Sequence, residues 1–321
     1  MGTTTTNNRI AIIGSGLVGS GWAIVFARAG FEVSLFDAEL GAAERAYGLI
    51  GARLQDLHEA GLIEHPKESQ DRITLASSLA AALAGAVYVQ ESVYERVDVK
   101  IALMKEIDAA IGPDTWIGSS SSGIAASLFT EHVACRARCL VAHPVNPPYL
   151  APIVELVPAP WTAPATLKGV RALMERVGQA PVEMTREAEG FILNRLQGVL
   201  LMEAWRMVEE GLTTVADLDK TISQGLGLRW AFMGPFETID LNAPDGVADY
   251  ATRFGGLFQR IAASTTEHRV WDSALIEQVE TQRRALLAAA DLPARRAWRD
   301  RRLMALARHK RDMDAADVNT D

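Results

Sequence analysis

Cysteine is scarce in this chain of 321 residues, and its scarcity excludes two kinds of stabilising chemistry. The two cysteines, Cys135 and Cys139, are separated by three residues, and no second Cys/His pair of ligand spacing accompanies them. The sequence therefore predicts neither a metal site nor a disulfide framework. Two free thiols are typical of a reducing compartment, so we expect a cytoplasmic protein.

Long apolar runs and clustered basic residues are also missing. The first eight residues are polar and lack the apolar segment of a signal peptide. The stretch 75–91 is rich in Ala, Ser and Gly, and it is too short and too polar to span a bilayer. The net charge is −8 with acidic and basic residues interleaved, which disfavours a nucleic-acid surface. We expect neither a membrane nor a nucleic-acid partner.

Short apolar runs alternate with helical stretches over the first 185 or so residues. Such runs, bounded by Gly, Pro or Asp, are typical of strands buried on both faces. The alternation predicts an α/β fold with a Rossmann-type, doubly wound and mostly parallel sheet. The predicted strands are 9–13, 32–36, 86–90, 116–118, 139–142, 153–157 and 181–184, and the predicted helices include 18–29, 42–60, 97–111 and 164–177.

The pattern changes after Glu189, because almost no strand-like run follows. Leucines recur at helical spacing from Leu193 to Leu201, and similar stripes continue to the end. The sequence thus predicts two domains. Residues 1–188 form a nucleotide-binding domain, and residues 189–321 form an all-helical domain for substrate binding and dimerisation.

A glycine motif follows the first predicted strand and opens a helix. Gly14 allows a tight turn, Gly16 lets the backbone approach a pyrophosphate, and Gly19 lets the helix pack closely on the strand. Asp37 ends the second strand, where it would accept hydrogen bonds from the ribose of NAD and repel the 2′-phosphate of NADP. A glycine-rich turn in an unrelated α/β fold is the alternative. The predicted NAD-binding residues are Gly14, Gly16, Leu17, Val18, Gly19 and Asp37.

Two polar groups stand out near later strands. His143 lies just past a buried strand, and Glu155 lies inside another apolar strand, where a carboxylate is costly unless it is paired. The residues alone leave a structural pair and a catalytic pair open. The serine run 119–122 ends a third strand, and a helix cap is its better interpretation from the residues alone.

The chain as a whole resembles the L-3-hydroxyacyl-CoA dehydrogenase superfamily. Within it, the sequence is most similar to the branch of the lambda-crystallins and L-gulonate 3-dehydrogenases. The stretches that carry the resemblance are 119–122, 143–149, 154–158, 190–197, 203–206 and 225–232.

The resemblance implies a mechanism for oxidising a secondary alcohol with NAD. His143 would take the hydroxyl proton, and Glu155 would orient the imidazole and stabilise its charged form. Ser122 and Asn194 would hydrogen-bond the reacting oxygen, and Asn146 would lie by the nicotinamide.

The resemblance also assigns a Glu-x-x-x-x-Lys pair to the neighbourhood of the cofactor. Glu95 and Lys100 match that pair, although a solvated helix start is an equal alternative. It further implies a homodimer formed mainly by the helical domain, with a monomer as the alternative.

The substrate is less closely defined. Residues 143–147 read His-Pro-Val-Asn-Pro, where the acyl-CoA branch usually reads His-Phe-Phe-Asn-Pro, and the basic residues after the second strand are interleaved with acidic ones. We therefore expect a small 3-hydroxy acid, with L-gulonate as first choice and Arg229 as its carboxylate anchor or as an interface salt bridge. The alternatives are a 3-hydroxyacyl-CoA (3-hydroxybutyryl-CoA) dehydrogenase, a carnitine dehydrogenase and a crystallin-like NAD-binding protein without turnover.

Overall fold

The computed structural model describes residues 8–264 and 271–318. Most of the polar N-terminal segment therefore lies outside the described residues. The strands are β1 (Arg9–Ile13), β2 (Glu32–Phe36), β3 (Ile73–Leu75), β4 (Tyr88–Glu91), β5 (Trp116–Ser119), β6 (Cys139–Pro144), β7 (Ile153–Pro158) and β8 (Ala180–Glu183). They form one eight-stranded sheet in the order β3-β2-β1-β4-β5-β6-β7-β8, and neighbouring strands are parallel except for β6 and β7.

The predicted fold class is confirmed, with one strand missing from the prediction. β3 has three residues, and only Ile73 among them is buried. So short a segment carries no readable period, and its pairing with β2 in the sheet defines it as a strand.

Helices cover both faces of the sheet because alternate residues of each strand point to opposite sides. Ile10 and Ile12 of β1 join one buried cluster, whereas Ala11 and Ile13 join another. The helices between and after the strands are α1 (Leu17–Arg28), α2 (Ala42–Glu59), α3 (Pro66–Asp71), α4 (Leu79–Leu83), α5 (Val97–Ala110), α6 (Ser127–Thr130) and α7 (Pro164–Arg176).

After β8, the regular elements of the described residues are helices. Short 3₁₀ or π turns cover Ala134–Arg138, Ile222–Leu226 and Ala289–Asp291. Among the described residues, no helix is both long enough and apolar enough to cross a membrane. The later helices are α8 (Leu193–Glu209), α9 (Val215–Thr221), α10 (Gly227–Trp230), α11 (Pro235–Asp240), α12 (Gly246–Ser264), α13 (Ser273–Leu286) and α14 (Leu292–Val318).

Residue contacts divide the chain into two compact units. The sheet unit comprises the described residues up to Arg195 together with those from Ala297 onward, and the helical unit is Leu196–Arg296. In the sheet unit, Met304 of α14 packs in the same cluster as Leu54 and Leu57 of α2. The predicted domains, 1–188 and 189–321, stay a prediction.

Candidate active site

The glycine turn between β1 and α1 forms a cradle at the carboxyl end of the sheet. Gly14 has a φ of +96°, and a Cβ on it would lie 2.5 Å from the Ser92 carbonyl oxygen. A Cβ on Gly19 would lie 1.9 Å from the Gly14 oxygen, so side chains are excluded at both positions. A Cβ on Gly16 would meet no atom within 4 Å. The open space at Gly16, at a helix N-terminus, fits a pyrophosphate.

A cleft of about 610 Å³ opens at this turn and is lined by Gly14, Gly16 and Leu17, among others. Val18 instead packs against the buried core. The loop after β2 forms another part of the lining through Asp37 and Glu39. The cleft therefore contains most of the residues that the glycine motif predicts for NAD.

Asp37 is held in the cleft by three donors. Its Oδ2 accepts hydrogen bonds from the Ser15 N–H at 2.7 Å and the Ser15 hydroxyl at 2.8 Å, and its Oδ1 accepts one from the Glu39 N–H at 2.9 Å. Burial by itself would raise the pKa of Asp37, but these hydrogen bonds and the charge of Arg45 bring that pKa below its ordinary value. Asp37 is consequently an ionised acceptor suited to a ribose hydroxyl.

His143 and Glu155 face each other across the antiparallel pair β6–β7. The His143 Nδ1 lies 2.7 Å from the Glu155 Oε2, and the two side chains are only 8% and 3% exposed. The other carboxylate oxygen, Oε1, accepts hydrogen bonds from the N–H groups of Ile192 at 2.7 Å and Leu193 at 2.9 Å. Glu155 therefore joins the histidine to the N-terminus of α8.

These contacts keep Glu155 charged in an apolar interior. Burial would raise the pKa of Glu155, but the His143 hydrogen bond and the two backbone donors lower it below its usual range. An ionised Glu155 accepts from Nδ1–H of the imidazole, which leaves Nε2 as a proton acceptor.

The turn before α8 supplies the backbone donors to Glu155. Phe191 has a φ of +50°, which is uncommon for a side chain that is not glycine. Its ring is 1% exposed and lies 5.7 Å from the His143 ring between centroids. Phe191 thus packs beside the His143 ring, and its positive φ turns the backbone into α8.

Ser122 is held from both sides by residues named from the sequence. The Glu95 Oε1 accepts hydrogen bonds from the Ser121 hydroxyl at 2.7 Å, the Ser122 N–H at 2.8 Å and the Gly123 N–H at 3.0 Å. The Asn194 side-chain amide donates to the Ser122 carbonyl oxygen. The structure therefore brings Glu95, Ser122 and Asn194 together, and it leaves the Ser122 side chain exposed.

Lys100 lies beneath this loop and is only 1% exposed. Its Nζ donates to both oxygens of Glu91 at 2.9 Å and lies 3.5 Å from the Glu95 Oε2. The alternative of a solvated helix start is therefore wrong for Lys100. Lys100 therefore holds the carboxylates of Glu91 and Glu95 in place.

The last two predicted site residues are Asn146 and Arg229. Asn146 is exposed and follows the end of β6 by two residues, at the same sheet edge as His143. Arg229 is exposed on α10 of the helical unit. Within the described residues, its guanidinium has no hydrogen bond or ion pair.

Sequence reasoning missed Glu91. The Glu91 carboxylate is completely buried and also accepts hydrogen bonds from the Val93 N–H at 2.8 Å and the Ser119 hydroxyl. The signal was present, because a carboxylate closing an apolar strand needs a partner, as Glu155 does. Its partner Lys100 lies nine residues further along the chain, and only the fold brings the two side chains together.

Metal ligands are not gathered anywhere in the described ranges 8–264 and 271–318, where no group of three His, Cys, Asp or Glu could hold an ion. Cys135 and Cys139 are buried free thiols with sulfur atoms 3.7 Å apart.

Comparison with known proteins gives a consistent result across the chain. Residues 9–188 match the 3-hydroxyacyl-CoA dehydrogenase NAD-binding domain, and residues 190–285 match the C-terminal domain of the same family. Lambda-crystallin of Oryctolagus cuniculus is 41% identical, over 95% of this chain and 97% of the relative. An L-carnitine dehydrogenase of Streptomyces griseus is 39% identical, over 83% and 81%.

The solved structures agree with these matches. The chain superimposes on 5-formyl-3-hydroxy-2-methylpyridine 4-carboxylic acid 5-dehydrogenase, an NAD⁺-dependent dismutase, with a TM-score of 0.80 and 26% identity. That alignment covers 96% of this chain and 98% of the other.

Proposed function

Because this chain belongs to the 3-hydroxyacyl-CoA dehydrogenase family of NAD-dependent dehydrogenases, we propose that it oxidises the 3-hydroxyl of a small hydroxy acid, with L-gulonate as first choice. The observation that carries the proposal is the His143–Glu155 pair at 2.7 Å, with Glu155 anchored by two backbone donors. This pair lies at the end of the sheet where open α/β folds bind ligands.

The chain's own residues supply the acid–base chemistry. Bound NAD would supply the oxidising nicotinamide ring. His143 Nε2 takes the proton of the substrate hydroxyl, because Nδ1–H is committed to Glu155. Glu155 remains ionised, owing to its lowered pKa, and stabilises the imidazolium that forms.

The substrate oxygen needs donors that stay in place during the reaction. The exposed Ser122 hydroxyl makes only a long hydrogen bond of 3.4 Å to the Glu95 Oε1 and can turn to the substrate oxygen, while Glu95 and Asn194 hold the Ser122 backbone N–H and C=O. Asn194 belongs to the first turn of α8, so the helix that anchors Glu155 also positions the substrate loop. Preorganised donors of this kind contribute by not having to reorganise as charge develops.

A small acid suits the charge pattern better than an acyl-CoA. Arg45, Lys67 and Arg72, which follow β2, each form an ion pair with a nearby carboxylate. Few uncompensated cations therefore remain there for the phosphates of CoA. The similarity to lambda-crystallin over nearly the whole chain supports the same choice.

L-Carnitine is the second candidate, because the carnitine dehydrogenase of Streptomyces griseus is nearly as similar as the lambda-crystallin. The test is a steady-state screen with NAD against L-gulonate, L-carnitine, L-3-hydroxybutyrate and its CoA ester. We expect the highest kcat/KM for L-gulonate. A higher value for carnitine or the CoA ester would replace the proposed substrate, and no turnover with any of them would favour a crystallin-like binding protein.

We propose in addition that the chain is a homodimer joined by its helical unit. Phe254, Leu257, Phe258 and Ile261 share one face of α12 at spacings of three and four residues, and each is at least 39% exposed. Such a face is costly to leave in water and fits a second copy of the chain. A cytoplasmic location stays a prediction.

A further inference from the structure

The loop after β2 holds a second carboxylate beside Asp37. Glu39 lines the same cleft and forms an ion pair with the Arg45 guanidinium. Arg45 also lines the cleft and reaches back over Gly41, where a Cβ would lie 3.1 Å from its Nη1. The position of Arg45 therefore depends on Glu39 and on the missing side chain at Gly41.

Asp37 alone has little acceptor capacity left for a ribose. A carboxylate offers about four lone-pair positions, and donors from Ser15 and Glu39 occupy three of those on Asp37. Asp37 can thus accept from about one ribose hydroxyl, and selection between cofactors involves its neighbours.

We propose that Glu39 is a second residue that selects NAD over NADP, because its ion pair with Arg45 occupies the guanidinium that would otherwise bind a 2′-phosphate. This rests on the proposed binding of the adenosine ribose at Asp37. A free guanidinium in the cleft would bind a phosphate with two parallel hydrogen bonds. With Glu39 present, the same guanidinium is neutralised, and the negative charge of Asp37 still faces the phosphate.

The charges at this end of the cleft give the direction of the effect. The charged residues that line the cleft, Asp37, Glu39, Arg45 and Arg53, sum to zero, and replacing Glu39 by glutamine brings the sum to +1 while releasing Arg45. Both side chains of the pair are more than 60% exposed, so the ion pair itself adds little stability and its loss leaves the fold intact.

The test measures the dissociation constants of NADPH and NADH by fluorescence titration of the full chain. In Glu39→Gln we expect the Kd of NADPH to fall about ten-fold, the size of one hydrogen bond between charged groups. The Kd of NADH should change less than about two-fold. The gain should vanish in the double variant Glu39→Gln/Arg45→Gln, and it should shrink at high salt.

Glu44→Gln is the matched control. Glu44 is exposed, immediately precedes Arg45 in the first turn of α2 and is not among the residues lining the cleft. An equal gain in this control, or a gain that survives loss of Arg45, would overturn the proposal. Wild-type protein that binds NADH without oxidising any hydroxy acid would refute the proposed function alone, whereas absence of NADH binding would refute both.

Discussion

The sheet unit and the helical unit differ in how completely each buries its apolar side chains. In the sheet unit, large residues such as Trp22, Phe26 and Ile10 are fully buried. Among the described residues of the helical unit, only three hydrophobic side chains are buried, and they are Val208, Val215 and Leu275. The sheet unit therefore has its own core, whereas the described part of the helical unit buries few of its apolar side chains.

The difference extends to chemistry. All the candidate catalytic groups, His143, Glu155, Ser122 and Asn194, belong to the sheet unit, where hydrogen bonds hold them. The one candidate in the helical unit, Arg229, has no hydrogen-bond or ion-pair partner within the described residues. The role of Arg229 as a carboxylate anchor stays a prediction.

The largest expected effect falls on the chemistry of the sheet unit. Glu155→Gln removes the charge that stabilises the imidazolium, so kcat should fall about 10²- to 10⁴-fold while the Kd of NADH stays unchanged. The control is Glu183→Gln, on the neighbouring strand β8, which should keep wild-type kcat. Similar kcat values for the two variants would show that Glu155 does not contribute to catalysis.

The buried network should dominate the stability of the sheet unit. Glu91→Gln leaves the Lys100 ammonium without its main partner in the interior, which should lower the free energy of unfolding by about 3–5 kcal/mol. Urea denaturation measures the change. Asp98→Asn, in the first turn of α5, breaks the exposed pair with Arg96 and should have no measurable effect. Equal effects of the two substitutions would contradict the importance assigned to burial.

A charge introduced on the exposed apolar face of α12 should weaken self-association through the helical unit. Phe258→Asp should weaken self-association at least about 30-fold, because a buried aromatic anchor is worth about 2 kcal/mol or more at an interface. Light scattering across a dilution series measures this. Leu40→Asp is the control, because Leu40 is 97% exposed on the sheet unit. A monomeric wild-type protein at micromolar concentration would refute the homodimer.

Arg229→Met tests whether the helical unit contributes to substrate binding. Loss of a carboxylate anchor should raise KM about ten-fold for an acid and much less for an uncharged alcohol analogue, with kcat little changed. If Arg229 forms an interface salt bridge instead, the variant should lose dimer stability and treat charged and neutral substrates alike.

The smallest expected effect is the contribution of Glu155 to stability as the pH changes. Because the pKa of Glu155 is lower in the folded chain than in the unfolded one, its contribution is complete above the ordinary glutamate pKa of about 4.3. That contribution disappears as the pH falls through the lowered value. Between about pH 6 and pH 3, wild type should therefore lose more unfolding free energy than Glu155→Gln. Parallel losses would show that Glu155 is not stabilised in its charged form.

Local signals made the glycine cradle and Asp37 readable from the sequence. A buried strand, three spaced glycines and an acidic residue after the next strand form a pattern that needs no knowledge of distant contacts. The pairing of His143 with Glu155 was also expected, because a carboxylate in an apolar strand demands a partner. Their roles came from family resemblance, since twelve residues of separation do not define the register of β6 on β7.

Features that depend on the folded chain could not be read in the same way. β3 is too short to show a period, and Glu91 finds Lys100 only when β4 and α5 are assembled. The pairing of Glu39 with Arg45 likewise depends on how the loop turns at Gly41. In each case the decisive contact joins residues that no local pattern links.

The most direct test of an active site organised by the sheet unit is NADH formation from L-gulonate by wild type and by His143→Gln, with NADH binding measured on both. We expect saturable turnover by wild type, a fall of about 10²- to 10⁴-fold in kcat for the variant, and equal dissociation constants for NADH. His132→Gln, at an exposed histidine of the same unit, should behave as wild type. A folded His143→Gln protein with wild-type kcat would contradict the assignment of His143 as the general base.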